Sequence, residues 1–260
     1  MTPVFYIQIL IFLFAAPAYS LDKKAEPCAI CLTHLDKEFS IDAWGNPYHS
    51  YHEQEGVFCS SCSRIISEGV TGGGFQFSDG RYLCSLCQSS LIEKENDIQS
   101  SFRSVRNQLN EVGFHNIPQT INITLVNGEE LAGLSSKNGE KCLKGFTLVN
   151  TEKSTPFPYQ LFLLFGLPKI EFEAVLAHEL LHVWLLEHHI QLEKSRIEGF
   201  CNVGSALILE NNNTKFAHIH LKAMHENPNP AYGNAFRSEF ARVKQLGWIP
   251  YIENLMQLKQ

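Results

Sequence analysis

Residues 172–186 read FEAVLAHELLHVWLL, an almost unbroken apolar run that contains two histidines and two glutamates. A run of this kind is typical of a buried helix, in which unpaired ionisable side chains are costly. His178 and His182 are four residues apart, so on a helix they lie one turn apart on one face. Each imidazole can then approach one zinc ion to about 2.0–2.1 Å. The run therefore predicts a metal-binding helix, and an ordinary core helix with an accidental pattern is the alternative.

A third ligand and a base are predicted close to these histidines. Glu198 begins a second predicted helix and stands in the otherwise apolar run 197–201, IEGFC, whereas Glu193 falls in a polar connection and is expected to be solvated. Glu179, next to His178, is placed to take a proton from a water molecule at the metal. Three protein ligands leave zinc one open coordination position, as catalytic sites require. The sequence therefore predicts one catalytic zinc ion and metal-assisted hydrolysis.

Later in the chain, His225 and Tyr232 are candidates for stabilising an oxyanion. His225 lies near the end of a predicted helix and Tyr232 follows the Pro-rich break after it. Either side chain can donate a hydrogen bond to developing negative charge. A purely structural role is the alternative for each of them.

The first twenty residues differ in composition from the rest. Residues 4–14 are almost entirely apolar and are followed by AAPAYS at 15–20. The short apolar run and the small residues before Ser20 predict a signal peptide over residues 1–20, and hence a secreted or periplasmic protein. An uncleaved anchor is the alternative, and no Lys or Arg precedes the run.

A second set of potential metal ligands lies between residues 28 and 87. Three pairs of cysteines are each separated by two residues, a spacing that lets two thiolates bind one tetrahedral zinc ion. With two histidines they form two consecutive groups of four, namely Cys28, Cys31, His49 and His52, then Cys59, Cys62, Cys84 and Cys87. Two structural zinc ions are therefore predicted, and the first can be held with only one of its histidines. Because the protein is predicted to be exported, three disulfides are the alternative.

Length, composition and charge set the class of protein. The chain has 260 residues, 44% of them hydrophobic and 18% charged, which suits one medium domain and one small one. Its net charge of -6 gives no general attraction for nucleic acid or anionic lipid. No nucleic-acid partner is expected, and no membrane partner beyond export.

Periodicity predicts an α+β fold in which a small sheet precedes mostly helical structure. The predicted strands are 121–125, 145–149 and 160–165. The predicted helices are 89–112, 170–188, 196–210, 215–225 and 235–246. Turns or breaks are expected at Asn127-Gly128, 227–230 and 247–250. The expected domains are a zinc module at 25–90 and a catalytic domain at 91–260.

The cysteine-rich part resembles a LIM domain, a tandem double zinc finger. His52 stands where cysteine is more common, and six residues separate the two sites, which is more than usual. LIM domains serve as platforms for binding proteins, so the resemblance implies a protein partner for this module.

The whole arrangement resembles the metallopeptidase family typified by the plant organ-size regulator DA-one. The resemblance rests on the LIM-like module, on HELLHVW at 178–184 and on EGFC at 198–201, with further matches in LFGLP at 164–168 and PAYGNAFR at 230–237. It covers most of residues 28–245. It implies a gluzincin-like zinc metallopeptidase that cuts a protein or peptide substrate.

The resemblance also implies roles for particular residues. His178, His182 and Glu198 would be the zinc ligands and Glu179 the general base. Gluzincins hold an extended substrate along an edge strand, for which residues 160–165 are the candidate. They often place an acidic residue four positions after the third ligand, where this chain has Asn202, whose side chain can still accept a hydrogen bond from an imidazole.

Other features leave alternatives open. The plant members are intracellular and carry ubiquitin-interacting motifs, so dependence on ubiquitin is not carried over to a chain with an export signal. Cys142 and Cys201 stand outside the pairs, and they either form a disulfide or remain small buried residues. The competing functions are a non-catalytic exported zinc-binding protein-interaction module and a metal-binding or disulfide-stapled scaffold.

Overall fold

The computed structural model describes residues 27–55, 57–134, 144–150 and 158–258. They divide into two compact units between Leu91 and Ile92. The predicted signal peptide and Cys142 lie outside the described residues. Within the described ranges, no helix combines the length and the apolar character needed to cross a membrane.

The first unit is built from short elements around ligand-bearing turns. Its strands are β1 (Ser40–Ile41), β2 (Pro47–Tyr48), β3 (Gly74–Gln76) and β4 (Tyr82–Cys84), and its helices are α1 (His52–Glu55), α2 (Glu68–Thr71) and α3 (Ser85–Gln88). β1 pairs antiparallel with β2, and β3 with β4. The buried hydrophobic cluster around Cys28 is small, as expected where metal binding replaces a large core.

The second unit combines one small sheet with longer helices. Its elements in chain order are α4 (Glu95–Glu111), β5 (Asn122–Val126), α5 (Gly128–Leu134), β6 (Gly145–Val149), β7 (Tyr159–Leu164), α6 (Lys169–Glu187), α7 (Lys194–Glu210), α8 (Lys215–Glu226), a π-helical turn (Pro230–Asn234), α9 (Ala235–Leu246) and α10 (Trp248–Met256). The predicted mixture of strands and helices is confirmed. The turn predicted at Asn127-Gly128 is wrong, because helix α5 begins at Gly128. The break predicted at 247–250 is confirmed at Gly247, whose positive φ separates α9 from α10, and it is wrong for residues 248–250, which belong to α10.

The order of strands in this sheet is β5-β7-β6. β7 runs parallel to β5 and antiparallel to β6, so it is the central strand. The prediction that residues 160–165 form an edge strand is therefore wrong. Their near-continuous apolar character is typical of a strand covered on both faces, and the edge strands among those described are β5 and β6.

Helix α6 is buried along most of its length and packs closely against α7. The close approach depends on Gly204 in α7, where a Cβ atom would lie 2.7 Å from Leu181 Cδ1. Trp184 adds aromatic packing, with its ring 5.1 Å from that of Phe114 and 5.8 Å from that of Phe200. The two helices are thereby held with the histidines of α6 facing α7.

Candidate metal centre

The two histidines of α6 point at a common position. Their Nε2 atoms are 3.2 Å apart, and the side chains of His178 and His182 are buried. Two nitrogens bound to one tetrahedral zinc ion are expected to lie about 3.3–3.4 Å apart. The spacing of these two atoms therefore fits a zinc ion.

Glu198 of α7 completes a three-residue arrangement. Its Oε2 lies 3.5 Å from Nε2 of His178, and its Oε1 lies 4.0 Å from Nε2 of His182. The side chain is 3% exposed, whereas the competing candidate Glu193 is exposed at the start of α7. The structure thus brings Glu198, and not Glu193, to the two histidines.

A hydrogen bond sets the orientation of the first histidine. Nδ1 of His178 lies 2.9 Å from Oδ1 of Asn202, which can only accept, so Nδ1 carries the hydrogen and Nε2 presents its lone pair. The expectation that Asn202 accepts from an imidazole is confirmed. Burial and the neighbouring His178 lower the pKa of His182 well below its usual value, and a neutral imidazole is the form that binds metals.

Glu179 is fully buried between α6 and strand β6. Thr147 Oγ1 donates a 2.6 Å hydrogen bond to its Oε2, while its Oε1 has no hydrogen-bond partner among the described residues. Burial raises the pKa of Glu179, the Thr147 hydrogen bond opposes that rise, and the charge of Glu198 adds to it. One carboxylate oxygen is therefore held and the other is free to accept a proton.

The space for this carboxylate comes from Gly145. A Cβ atom there would lie 2.1 Å from Glu179 Oε1. Gly145 and Thr147 are two residues apart on β6, so they share one face of the strand. Neither was identified from the sequence, because the pattern of a strand shows which residues share a face but not what that face contacts.

Cys201 is a further residue of the site that the sequence did not identify. It is a free, fully buried cysteine, and its Sγ forms with nitrogens of His178 and His182 a group whose atoms all lie within 4.8 Å of one another. Burial raises the pKa of its thiol well above the usual value, as do the charges of Glu198 and Glu179. The spacing of three residues from Glu198 on one helix was the available signal.

His225 lies among aromatic rings. Its ring centroid is 5.0 Å from that of Phe236 and 4.8 Å from that of Phe240, and the side chain is half-buried. Burial lowers its pKa below the usual value. His225 does not belong to any of the groups of possible metal ligands found among the described residues, so its role in stabilising an oxyanion stays a prediction.

Tyr232 is buried in the π-helical turn, which packs against α7. Next to Glu198, α7 also lies close to the start of α9, because a Cβ atom at Gly199 would lie 2.6 Å from the backbone of Ala235. Arg237 fixes the chain before the turn by donating to the carbonyl oxygens of His225 and Asn227. The turn that carries Tyr232 is thus held next to the helix that carries Glu198.

Four cysteines of the first unit form a compact group. The Sγ atoms of Cys59 and Cys87 are 3.8 Å apart, and those of Cys62 and Cys84 are 3.7 Å apart. Two thiolates on one tetrahedral zinc ion are expected about 3.8 Å apart, whereas a disulfide bond measures about 2.0 Å. All four cysteines are free, so the disulfide alternative is wrong for them and the group fits zinc.

The other group combines two cysteines and two histidines. The ligand atoms of Cys28, Cys31, His49 and His52 all lie within 4.8 Å of one another. His49 donates from Nε2 to the carbonyl oxygen of His34, 2.9 Å away, which leaves Nδ1 facing Cys31 Sγ at 3.4 Å. A hydrogen bond with Thr33 lowers the pKa of the Cys31 thiol to about 5. The Nδ1 atom of His49 is therefore directed at the cysteine ligands of this group.

Comparison with known proteins relates this chain to one family. Residues 104–222 match the model of the DA1-like family, described as Protein DA1, and this match includes α6, α7 and the side chains of His178, Glu179, His182 and Glu198. The similarity supports a relationship to the DA1 family at low sequence identity.

Individual relatives come from two plants. The LIM domain-containing protein HDR3 of rice is 26% identical over 222 residues, which is 70% of this chain and 44% of the relative. Protein DA1-related 2 of Arabidopsis thaliana is 29% identical over 200 residues, covering 64% and 37%, and Protein DA1 of the same plant is 26% identical over 193 residues, covering 62% and 36%. The chain thus spans less than half the length of these relatives. No solved structure matches it.

Proposed function

We propose that this protein is a zinc-dependent metallopeptidase with its catalytic centre on α6 and α7. The observation that carries the proposal is the convergence of His178, His182 and Glu198 beside a buried Glu179 that has one free oxygen. Buried ionisable side chains are costly unless they are paired or bind a metal ion. The donor set of two imidazoles and a carboxylate is one that catalytic zinc sites use.

Zinc would be held by His178, His182 and Glu198. When bound, it polarises the carbonyl group of a peptide bond and lowers the pKa of water beside it to about 7. Asn202 keeps His178 in the tautomer that presents Nε2 to the metal.

The chain's own residues move the protons. Glu179 accepts a proton at Oε1 from the attacking water and then donates it to the departing amine nitrogen, so it ends the cycle as it began. Thr147 holds Oε2 throughout and prevents the carboxylate from rotating. Tyr232 and His225 remain the candidates for hydrogen bonding to the oxyanion, and the packing of the Tyr232 turn against α7 favours Tyr232.

An extended protein or peptide substrate would bind along β6. This strand pairs with β7 on one side and is an edge among the described strands. An extended segment adds to such an edge through backbone hydrogen bonds. Because Gly145 and Thr147 of β6 contact Glu179, a segment added there lies next to the general base.

The first unit has a structural role in this proposal. Its two ligand groups hold one zinc ion each, which stabilises a segment with a small hydrophobic core. Its LIM-like character makes it a candidate surface for a protein partner. Export through residues 1–20, to a secreted or periplasmic location, is part of the same proposal.

Substitution of the general base tests the proposal. Purified full-length chain, Glu179→Gln and the matched control Glu173→Gln are incubated with a quenched-fluorescent peptide library, and the zinc content of each is measured. Glu173 is a buried glutamate of the same helix whose carboxylate lies 3.9 Å from Lys169 Nζ. Glu179→Gln should keep its zinc and lose about 10²- to 10⁴-fold in cleavage rate. Cleavage by Glu179→Gln at the wild-type rate refutes the mechanism.

A second function is favoured by the position of Cys201. Four protein ligands close a zinc site and leave it structural. If Cys201 binds permanently, the chain is a non-catalytic zinc-binding protein that acts through its interaction surfaces. A zinc-loaded wild-type chain that cleaves nothing in the library selects this function.

A further inference from the structure

Cys201 has no part in the proposed proton transfers, yet its thiol lies close to two of the proposed zinc ligands, His178 and His182. Its Sγ is within 4.8 Å of nitrogens of both His178 and His182, and the residue is 0% exposed. It follows Glu198 by three residues on α7, so both residues lie on one face of that helix. No hydrogen bond to the thiol is found within the described ranges. The thiol therefore faces the metal position without another interaction that fixes it.

The chemistry of a thiol at this position is specific. A deprotonated cysteine is a strong zinc ligand, and when it binds, the proton of the thiol is released to solvent. Two histidines, one glutamate and one cysteine would give zinc four protein ligands and leave no open position. Without the cysteine, the same ion has three protein ligands and one open position.

We infer that Cys201 is a fourth, reversible zinc ligand that closes the catalytic site into a latent form. The closed form has His178, His182, Glu198 and Cys201 on zinc, and the active form has the thiol released. This inference rests on the proposed peptidase function, since it concerns the regulation of the same site. It differs from permanent closure because the chain retains activity in the released form.

Cadmium-113 NMR on the full-length chain tests the ligand assignment. Each bound cadmium ion gives its own resonance, and each thiolate ligand moves that resonance downfield. The wild-type chain should give three resonances, of which His178→Ala removes one. In Cys201→Ala the same resonance should persist and move upfield, while the two resonances of the first unit stay in place and serve as an internal reference. Cys201→Ser provides an isosteric second variant.

The outcomes separate this inference from the proposed function. If the resonance that depends on His178 keeps its shift in both cysteine variants, Cys201 is not a ligand and the inference falls while the zinc site stands. If no resonance depends on His178, the proposed zinc site itself falls.

Zinc affinity and cleavage test the latent form. Cys201→Ala should bind zinc more weakly in competition with a chelator. Loss of a residue that only hydrogen-bonds to a zinc ligand weakens binding about 10- to 100-fold, and loss of a ligand itself should cost at least as much. With zinc in excess, the initial cleavage rate of Cys201→Ala should exceed that of the wild-type chain. A shifted resonance without a higher initial rate refutes latency.

Discussion

A methyl group at position 145 would occupy the space of the proposed general base. The Cβ of an alanine there would lie 2.1 Å from Glu179 Oε1, whereas ordinary carbon–oxygen contacts are at about 3.3 Å or more. Gly145 does not have a positive φ, so the backbone accepts alanine and the clash is the main effect. The carboxylate must therefore move by about 1 Å, a displacement that can cost about 10²-fold in rate.

Steady-state cleavage of a peptide substrate measures this effect. We expect kcat/KM of Gly145→Ala to fall about 100-fold with zinc content unchanged, since the atoms nearest to a Cβ at position 145 belong to Glu179 and Val175 and not to a proposed ligand. Gly133→Ala is the matched control, because a Cβ atom at Gly133 has nothing within 4 Å. If Gly145→Ala cleaves as fast as Gly133→Ala, the carboxylate does not act from the position seen here.

Three further substitutions test neighbouring parts of the account. Thr147→Val removes the hydrogen bond to the Glu179 carboxylate, which is worth about 1.5–3 kcal/mol, so kcat/KM should fall about 10- to 150-fold. Thr147→Ser should retain activity, and equal rates for the two variants would contradict the proposal that Thr147 positions Glu179. Asn202→Leu should weaken zinc binding about 10- to 100-fold in competition with a chelator, whereas Asn202→Asp should bind zinc as well as the wild-type chain. An unchanged zinc affinity in the leucine variant would exclude a role of Asn202 in orienting His178. Lys144→Met leaves the buried Glu171 without its partner and should lower the free energy of unfolding, measured in urea, by about 3–5 kcal/mol, much of which the Lys144→Met, Glu171→Leu double variant should recover. A loss below about 1 kcal/mol in the single variant would argue against a buried ion pair.

The helices that carry the site could be predicted because their signals are local. An apolar run with histidines four residues apart indicates one helix and one face, and α6 and α7 begin and end close to the predicted residues. The role of Asn202 was implied by the resemblance to gluzincins, which often place a partner for an imidazole four positions after the third ligand. Local periodicity was sufficient for the functional residues of α6, whereas Cys201 was missed although it shares α7 with Glu198.

Two helices were missed although their local signals are present. Asn127 and Glu130 exchange backbone and side-chain hydrogen bonds at the start of α5, which is a capping box that the sequence pattern allows. Pro250 was taken to interrupt the chain, but it lies in the first turn of α10, where a backbone N–H has no partner within the helix. Proline therefore indicates a helix start there.

The environment of the catalytic carboxylate could not be predicted, because it depends on contacts between distant segments. β6 contacts α6 within a sheet whose strand order, β5-β7-β6, is not the order along the chain. Gly145 and Thr147 are more than thirty residues before Glu179 in the chain, and no pattern relates them. The order of strands is likewise a property of the assembled sheet.

The amount of zinc bound per chain, in the wild-type protein and in His178→Ala, tests the central claim most directly. Elemental analysis of the purified full-length chain should give three zinc ions for the wild-type protein, one in the α6–α7 centre and two in the first unit. His178→Ala should give two. An equal zinc content in both proteins would mean that α6 holds no metal ion, and it would contradict the proposed metallopeptidase.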